Sequence, residues 1–374
     1  MGTAVPEKTA TIPGGEESTG TVPLPGRSVG RAAGARWRVP WTHGGFMANI
    51  KDIARETGLS VATVSRYLNG HPYVSREARY AIELTIGELG YRPNSSARSL
   101  RSGRTGRIMV VVCDVSHPFY SNLVAGAGAV ATEFGYDLLI QQTCAAQWNP
   151  DRITELTATR AVDGILLATE PAPWREFADA LRSIPVVTCD QAMEGAGYPR
   201  VYIDHHQSTI DGLSHLHERG ARRIVCFHAP ETDRCSSNRI RITAYKTFAE
   251  THPGVAIVPQ EVPDDLVETG YTLGLSLHRE HPEVDAVFTG SDDLAAGILL
   301  AAREQGRTVP EELRILGFDD QPLAGVMGIS TVRQPVRKMG RRSLRLLHAL
   351  IQRPGHTGDS VVHIPHTLVV RQTT

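Results

Sequence analysis

The sequence predicts a small all-α module followed by an α/β body built from two parallel-sheet subdomains, and three observations lead there. Between residues 50 and 91 apolar side chains recur at helical spacing in three short stretches. From residue 107 to the end, near-continuous Val/Ile/Leu runs alternate with helical segments, the pattern of strands covered on both faces by helices. Between the two lies a connector rich in Pro, Ser, Gly and Arg. At 374 residues the chain is longer than one ordinary domain and can bury several cores.

Residues 1–46 are rich in Gly, Pro, Thr and Arg and hold no apolar run of secretory type, so they are expected to be a disordered or non-native extension ahead of a start at Met47. In "IKDIARET" Ile50, Ile53 and Ala54 share a face, and Gly58 supplies a left-handed stop. Ser60 can cap a second helix that turns Val64 and Leu68 inward and ends at Asn69-Gly70. A third helix is expected after Ser75, with Ala78, Ile82, Ile86 and Leu89 on one stripe. "YRPNSSARSLRSGRTGR", 91–107, reads as a linker, yet residues 94–101 can form a brief helix capped by Asn94 with Ala97 and Leu100 on one side. A helix that short is marginal in water and needs a partner to form. Strands are then expected at "RIMVVVCDV", "YDLLIQQT", "DGILLAT", "IPVVTCD", "RVYID", "RIVCFHA", "DAVFTG" and "RILGFDD", with late strands "TVRQP" and "HTLVVR" around the helix "RKMGRRSLRLLHALIQ". A chain that revisits both subdomains near its end would make a hinged, two-lobed body with a cleft. The expected domains are 1–46, 47–93, 94–106 and 107–374.

The formal net charge of −1 hides an asymmetry: residues 47–104 carry nine Lys/Arg against five acids, so one end suits phosphate. With 41% hydrophobic and 21% charged residues, and no run approaching the ~18 apolar residues of a membrane helix, the composition predicts a soluble, cytoplasmic protein without a membrane partner. Five scattered cysteines without a C-x-x-C pair are expected to be buried free thiols. "GAGAVA", 126–131, imitates a dinucleotide fingerprint but falls inside a helix. His205, His206, His215 and His217 do not share one helix face, so no metal is expected, and no cofactor motif is present. Gly-x-Ser-x-Gly, a Walker loop and a nucleophile with a base are all absent, so no enzyme is expected.

"GLSVATVSRYLNG", 58–70, is the stretch on which function turns. Two helices joined by a short Gly turn, the second opening with small and hydrogen-bonding residues, form a helix-turn-helix that can enter a major groove; a bland helical hairpin is the alternative. Residues 47–100, from "MANIKDIARETG" to "SSARSL", resemble the headpiece of the lactose-repressor (LacI/GalR) family. "DVSHPFYSNLVAGA", "RITAYKTF", "SDDLAAGIL", "VPEELRILGFDDQPLA" and "TVRQPVRKMG" resemble its periplasmic-binding-protein-like sensor body, so the likeness runs from 47 to 374.

The resemblance implies roles residue by residue. Val61, Ala62 and Arg66 stand at base-reading positions, Arg66 suited to guanine and the other two to apolar contact. Ser60, Thr63, Ser65, Asn69 and Tyr73 stand at phosphate-contact positions. Leu100 matches a hinge-helix leucine wedged into the minor groove with Ala97 packed beside it; packing on the body is the alternative. Phe119, Tyr120, Arg241 and Asp292 match effector-pocket positions, although Arg241 and Asp292 could instead form an interlobe or surface ion pair. Asp114 and Asp319 end strands, where open α/β sheets place ligand groups, or else cap turns. Where sugar-responsive relatives carry an aromatic, "PDDLVETGY" has Asp265, so sugar is implied only as the family's commonest effector. The implied partners are a double-stranded DNA operator, a second copy of the chain and a small-molecule effector. A transport-type solute binder and an enzyme are the rival readings; the basic headpiece disfavours the first and the missing constellation the second.

Overall fold

A computed structural model describes residues 48–91, 103–143, 151–169, 178–190, 197–230, 236–353 and 361–374. They form two compact units, one on each side of the connector. Ala97, Leu100 and the extension 1–46 lie outside the described residues.

The first unit holds helices α1 (Ile50–Thr57), α2 (Val61–Leu68) and α3 (Arg76–Leu89). Each start is satisfied by a side chain: Asn49 Oδ1 accepts from the Lys51 N–H, Ser60 Oγ from the Thr63 N–H and Ser75 Oγ from the Ala78 N–H. Gly58, at φ +67°, takes the left-handed turn between α1 and α2 that a side chain would strain. Ile53, Ala54, Val64 and Ile82 form the core, with Leu68, Ile86 and Leu89 packed around them. Arg79 holds the α2–α3 loop by donating to the carbonyls of Val74 (3.1 Å) and His71 (3.0 Å).

The second unit runs β1 (Arg107–Val112), α4 (Pro118–Phe134), β2 (Asp137–Gln142), α5 (Asp151–Ala158), β3 (Gly164–Leu167), α6 (Ala178–Arg182), β4 (Val186–Cys189) and β5 (Arg200–Tyr202). It continues with α7 (His205–Glu218), β6 (Arg223–His228), α8 (Ser236–Thr251), β7 (Ala256–Glu261), α9 (Val267–Glu280), β8 (Ala286–Phe288), α10 (Asp292–Glu304) and β9 (Arg314–Asp319). It ends with α11 (Pro322–Met327), β10 (Ser330–Arg333), α12 (Val336–Gln352), β11 (Val361–His363) and β12 (Thr367–Val369).

Among the described residues the strands make two six-stranded sheets, ordered β11-β5-β4-β3-β1-β2 and β12-β10-β9-β8-β6-β7. The first is parallel throughout, with Val110 of β1 between Ile140 and Leu166. The second is parallel except where β12 runs antiparallel to β10. The two lobes therefore exchange chain three times: β5 leads into α7, which packs on the second sheet, β10 leads into α12 on the first, and β11 leads into β12.

Gly126 and Gly340 let α4 and α12 meet backbone to backbone: a Cβ on Gly126 would stand 2.2 Å from the Arg337 carbonyl oxygen, and one on Gly340 2.2 Å from that of Leu123. "GAGAVA" is thus part of a helix crossing. Cys189 and Cys226 are buried free thiols, as expected. Cys113 corrects that reading: half-buried just past the end of β1, it is disulfide-bonded. Among the described residues no helix is long and apolar enough to cross a membrane.

Candidate DNA-reading face and effector cleft

On α2 the inward stripe and the outward face separate cleanly. Val64 is fully buried, whereas Val61, Ala62 and Arg66 are exposed, and the Arg66 guanidinium makes no hydrogen bond among the described residues. Ser60 and Thr63 sit at the positive end of the helix, their hydroxyls 2.9 Å apart, where backbone N–H groups favour an anion. At the other end Asn69 Nδ2 donates to the Ser65 carbonyl (2.6 Å), and Tyr73 beyond it is 86% exposed. An unpaired guanidinium flanked by small apolar groups, with hydroxyls at both ends, can read a groove edge while holding phosphate.

The body gathers polar groups at the carboxyl ends of its strands, where open α/β sheets hold ligands. Arg241, on α8, lays its guanidinium over the Phe318 ring (3.6 Å to the centroid) and donates from Nη1 to the Gly290 carbonyl (3.1 Å). Its Nε faces His205 Nδ1 at 3.5 Å, which leaves His205 Nε2 to donate to Asp190 Oδ1 at 2.7 Å. Asp190 follows β4 on the first lobe and His205 opens α7 on the second, so this buried pair joins the lobes. Asp190 and Asp319 adopt φ 68° and 100°, a region Asp tolerates better than most residues, and each turns the chain at a strand end. Asp319 is buried, accepts from Gln334 Nε2 (2.7 Å), and burial pushes its carboxyl up despite Arg241 and His117.

The other expected positions differ in exposure. Asp114 is exposed and accepts from the Ser116 N–H (2.9 Å), which holds its carboxyl below the usual range. Tyr120 is half-buried with its ring edge on Phe119 (5.1 Å). Phe119 is buried in the core, while Tyr120 beside it is only half-buried. Asp292 has no exposed surface; Thr331 Oγ1 and the Gln321 N–H, each 2.6 Å away, donate to its two oxygens. Burial pushes its pKa up to about 8, and no ion pair links it to Arg241.

The residues not foreseen are His117, Asn122, Asp190, His205, Phe318 and Gln321. His117 caps α4, its Nδ1 accepting from the Phe119 N–H (3.2 Å). Asn122 Nδ2 donates to Gln321 Oε1 (2.8 Å) while Arg337 Nε donates to Asn122 Oδ1 (2.7 Å), a second link between lobes. Histidine adjacent to a strand-ending aspartate was a usable signal for His205; nothing in the sequence pairs Asn122 with Gln321. No group of His, Cys, Asp and Glu among the described residues converges on a metal.

Comparison with known proteins agrees with this architecture. Residues 49–94 match the family described as bacterial regulatory proteins, lacI family, and residues 213–374 match the periplasmic binding protein-like domain. The chain is 32% identical over 337 residues to the ribose operon repressor of Halalkalibacterium halodurans, covering 88% of this chain and 97% of that protein. The Lac repressor dimer bound to operator and the anti-inducer ONPF superimposes with a TM-score of 0.77 at 22% identity, over 87% of this chain and 99% of that one, and shows the shared fold. A complex of the transcriptional regulator CelR with cellobiose has a TM-score of 0.61 at 26% identity, over 87% of this chain and all of that one (100%). With a recognised headpiece, a two-lobed body and a repressor as relative over nearly its whole length, the chain belongs to the LacI family of DNA-binding transcriptional regulators.

Proposed function

We propose that this protein is a cytoplasmic repressor that binds a pseudo-palindromic operator as a homodimer and is controlled by a small sugar-like molecule in the cleft between its lobes. Domains 47–93, 94–106 and 107–374 divide that work into reading, hinge and sensing. Arg66 supplies the directional base contact, Val61 and Ala62 apolar contacts, and Ser60, Thr63, Ser65, Asn69 and Tyr73 hold the phosphate backbone. Ala97 and Leu100 enter the minor groove at the operator centre. Arg241, Asp319, Tyr120 and Asp114 meet the effector, while Phe119 and Asp292 shape the cleft from within. The cellobiose held by CelR supports a polyhydroxylated effector. An enzyme reading has no constellation to support it.

The observation that carries this reading is the outward face of α2, where an unpaired Arg66 stands one turn beyond exposed Val61 and Ala62 on a helix whose opposite face is core. Selection of operators from a random duplex library tests it. With Arg66→Ala, preference at one base pair of each half-site should fall by roughly tenfold or more, with the oligomeric state unchanged. Identical selected sequences for the wild type and the variant would remove Arg66 from the reading set.

A further inference from the structure

The effector cleft has a chemistry of its own, and any preference it shows among ligands rests on its being the effector site. Two buried oxygens beside the cleft residues have no hydrogen-bond partner: Asp265 Oδ1 and Gln334 Oε1. Both are acceptors. Asp265 lies just ahead of α9 with Oδ1 against Gly290, where a Cβ would stand 3.1 Å from it, and the Gly290 carbonyl receives Arg241 Nη1. Gln334, buried on the crossover from β10 to α12, donates Nε2 to Asp319 and leaves Oε1 over. Arg241 joins the two acceptors: it donates to the Gly290 carbonyl beside Asp265 and lies over the Phe318 ring next to Asp319, and with His117 it acts electrostatically on both carboxyls.

Arg241 has spent Nε on His205 and Nη1 on the Gly290 carbonyl, and His117, its Nδ1 accepting, has one N–H at Nε2 to offer. Against them stand Asp265, Asp319 and the half-buried Asp293. Burial raises the carboxyl groups of all three, a desolvation that the opposing pull of His117 does not offset. A buried acceptor left without a donor is costly, and a carboxylate bonded to an ammonium makes a strong, charge-assisted contact.

We infer that the cleft takes a ligand carrying a protonated amine on a polyhydroxylated frame, the amine seated on Asp265 Oδ1 and hydroxyls on Gln334 Oε1 and Asp319. No bond is made or broken; the ligand supplies donors to the two unpartnered oxygens.

Matched probes test this on the full chain by titration calorimetry: glucosamine against glucose, which exchanges an amine for a hydroxyl, and Tris against pentaerythritol, which exchanges it for a hydroxymethyl group. The amine of at least one pair should bind tighter by about tenfold or more. Asp265→Asn should bring that pair to within about twofold, and a cooperative melt like the wild type's shows that the variant folds. Gly290→Ala, which crowds the amine seat and keeps the carboxylate, should weaken the amine more than its neutral partner. Neutral members binding as well as the amines would overturn the inference and leave the effector cleft standing. An amine preference that survives Asp265→Asn would remove Asp265 from it, and silence from all four probes would count against both the inference and a polyhydroxylated effector.

Discussion

Asp292 carries a carboxyl with no exposed surface, and its surroundings pull its protonation both ways. The Thr331 hydroxyl donates to Oδ1 and the Gln321 N–H to Oδ2, each at 2.6 Å, which favours the charged form. Burial, reinforced by Asp319 and Asp320, wins and raises its pKa to about 8, so near neutral pH the carboxyl keeps its proton. In the unfolded chain the same carboxyl loses its proton near pH ~3.9. Between those two values the native state holds a proton that the unfolded state lacks, so this residue's contribution to stability falls as pH rises and levels off above pH 8. Asp292→Asn mimics the protonated form and removes that slope, which is at most about 1.4 kcal/mol per pH unit. Urea unfolding from pH 5 to 9 should therefore show the variant gaining on the wild type until pH 8; a constant difference would mean that Asp292 is ionised throughout. The family resemblance set Asp292 at the effector pocket, and nothing in its neighbours along the chain signals its burial. Its burial depends on Gly317, across which Oδ1 lies so close that a Cβ would stand 2.3 Å from it, a contact between elements far apart in the chain.

Elements were legible where burial was uniform. β1, β3, β4, β6 and β9 read as unbroken apolar runs because both faces are covered. β7 escaped notice since it is an edge strand, largely exposed and interrupted by Pro259, and β11 is only three residues long. The three helices of the headpiece announced themselves through caps, Ser60 and Ser75 above all, which depend on neighbours in sequence alone. Helix crossings did not. Two glycines two residues apart in α4 show why: Gly126 lies against the backbone of Arg337, whereas a Cβ on Gly128 would meet only a Leu138 methyl at 3.8 Å. Gly126→Ala must push α4 and α12 apart and should cost on the order of 1–3 kcal/mol. Gly128→Ala should be neutral or stabilise by up to about 1 kcal/mol through better helix propensity. Urea midpoints of the two variants moving together, in either direction, would show that the helices are not in close contact at Gly126.

At the scale of the whole body, two lobes were readable because late strands had to return to earlier sheets, but which side chains the return brings face to face was not. Two links between lobes, Asp190–His205 and Asn122–Gln321, come from opposite lobes and share no residue. Each ties a strand-end or helix-start of one lobe to the other, so both exist only in lobe arrangements that keep the cleft walls at this spacing. A regulator that works by moving its lobes needs an element with two arrangements, and contacts present in one of them bias the balance toward it. Breaking either link should then displace that balance in one common direction. Asn122→Ala removes its link without leaving a charge; His205→Ala strands a buried carboxylate, and Asp190→Asn in the same chain removes that penalty. Operator affinity, measured with α2 untouched, should change with the same sign in Asn122→Ala and in the Asp190→Asn/His205→Ala double variant. Combining all three substitutions should give less than the sum, since a balance already displaced has less left to lose. Changes of opposite sign would show that the links belong to different arrangements, and strict additivity would make them local stabilisers that the lobe movement does not use.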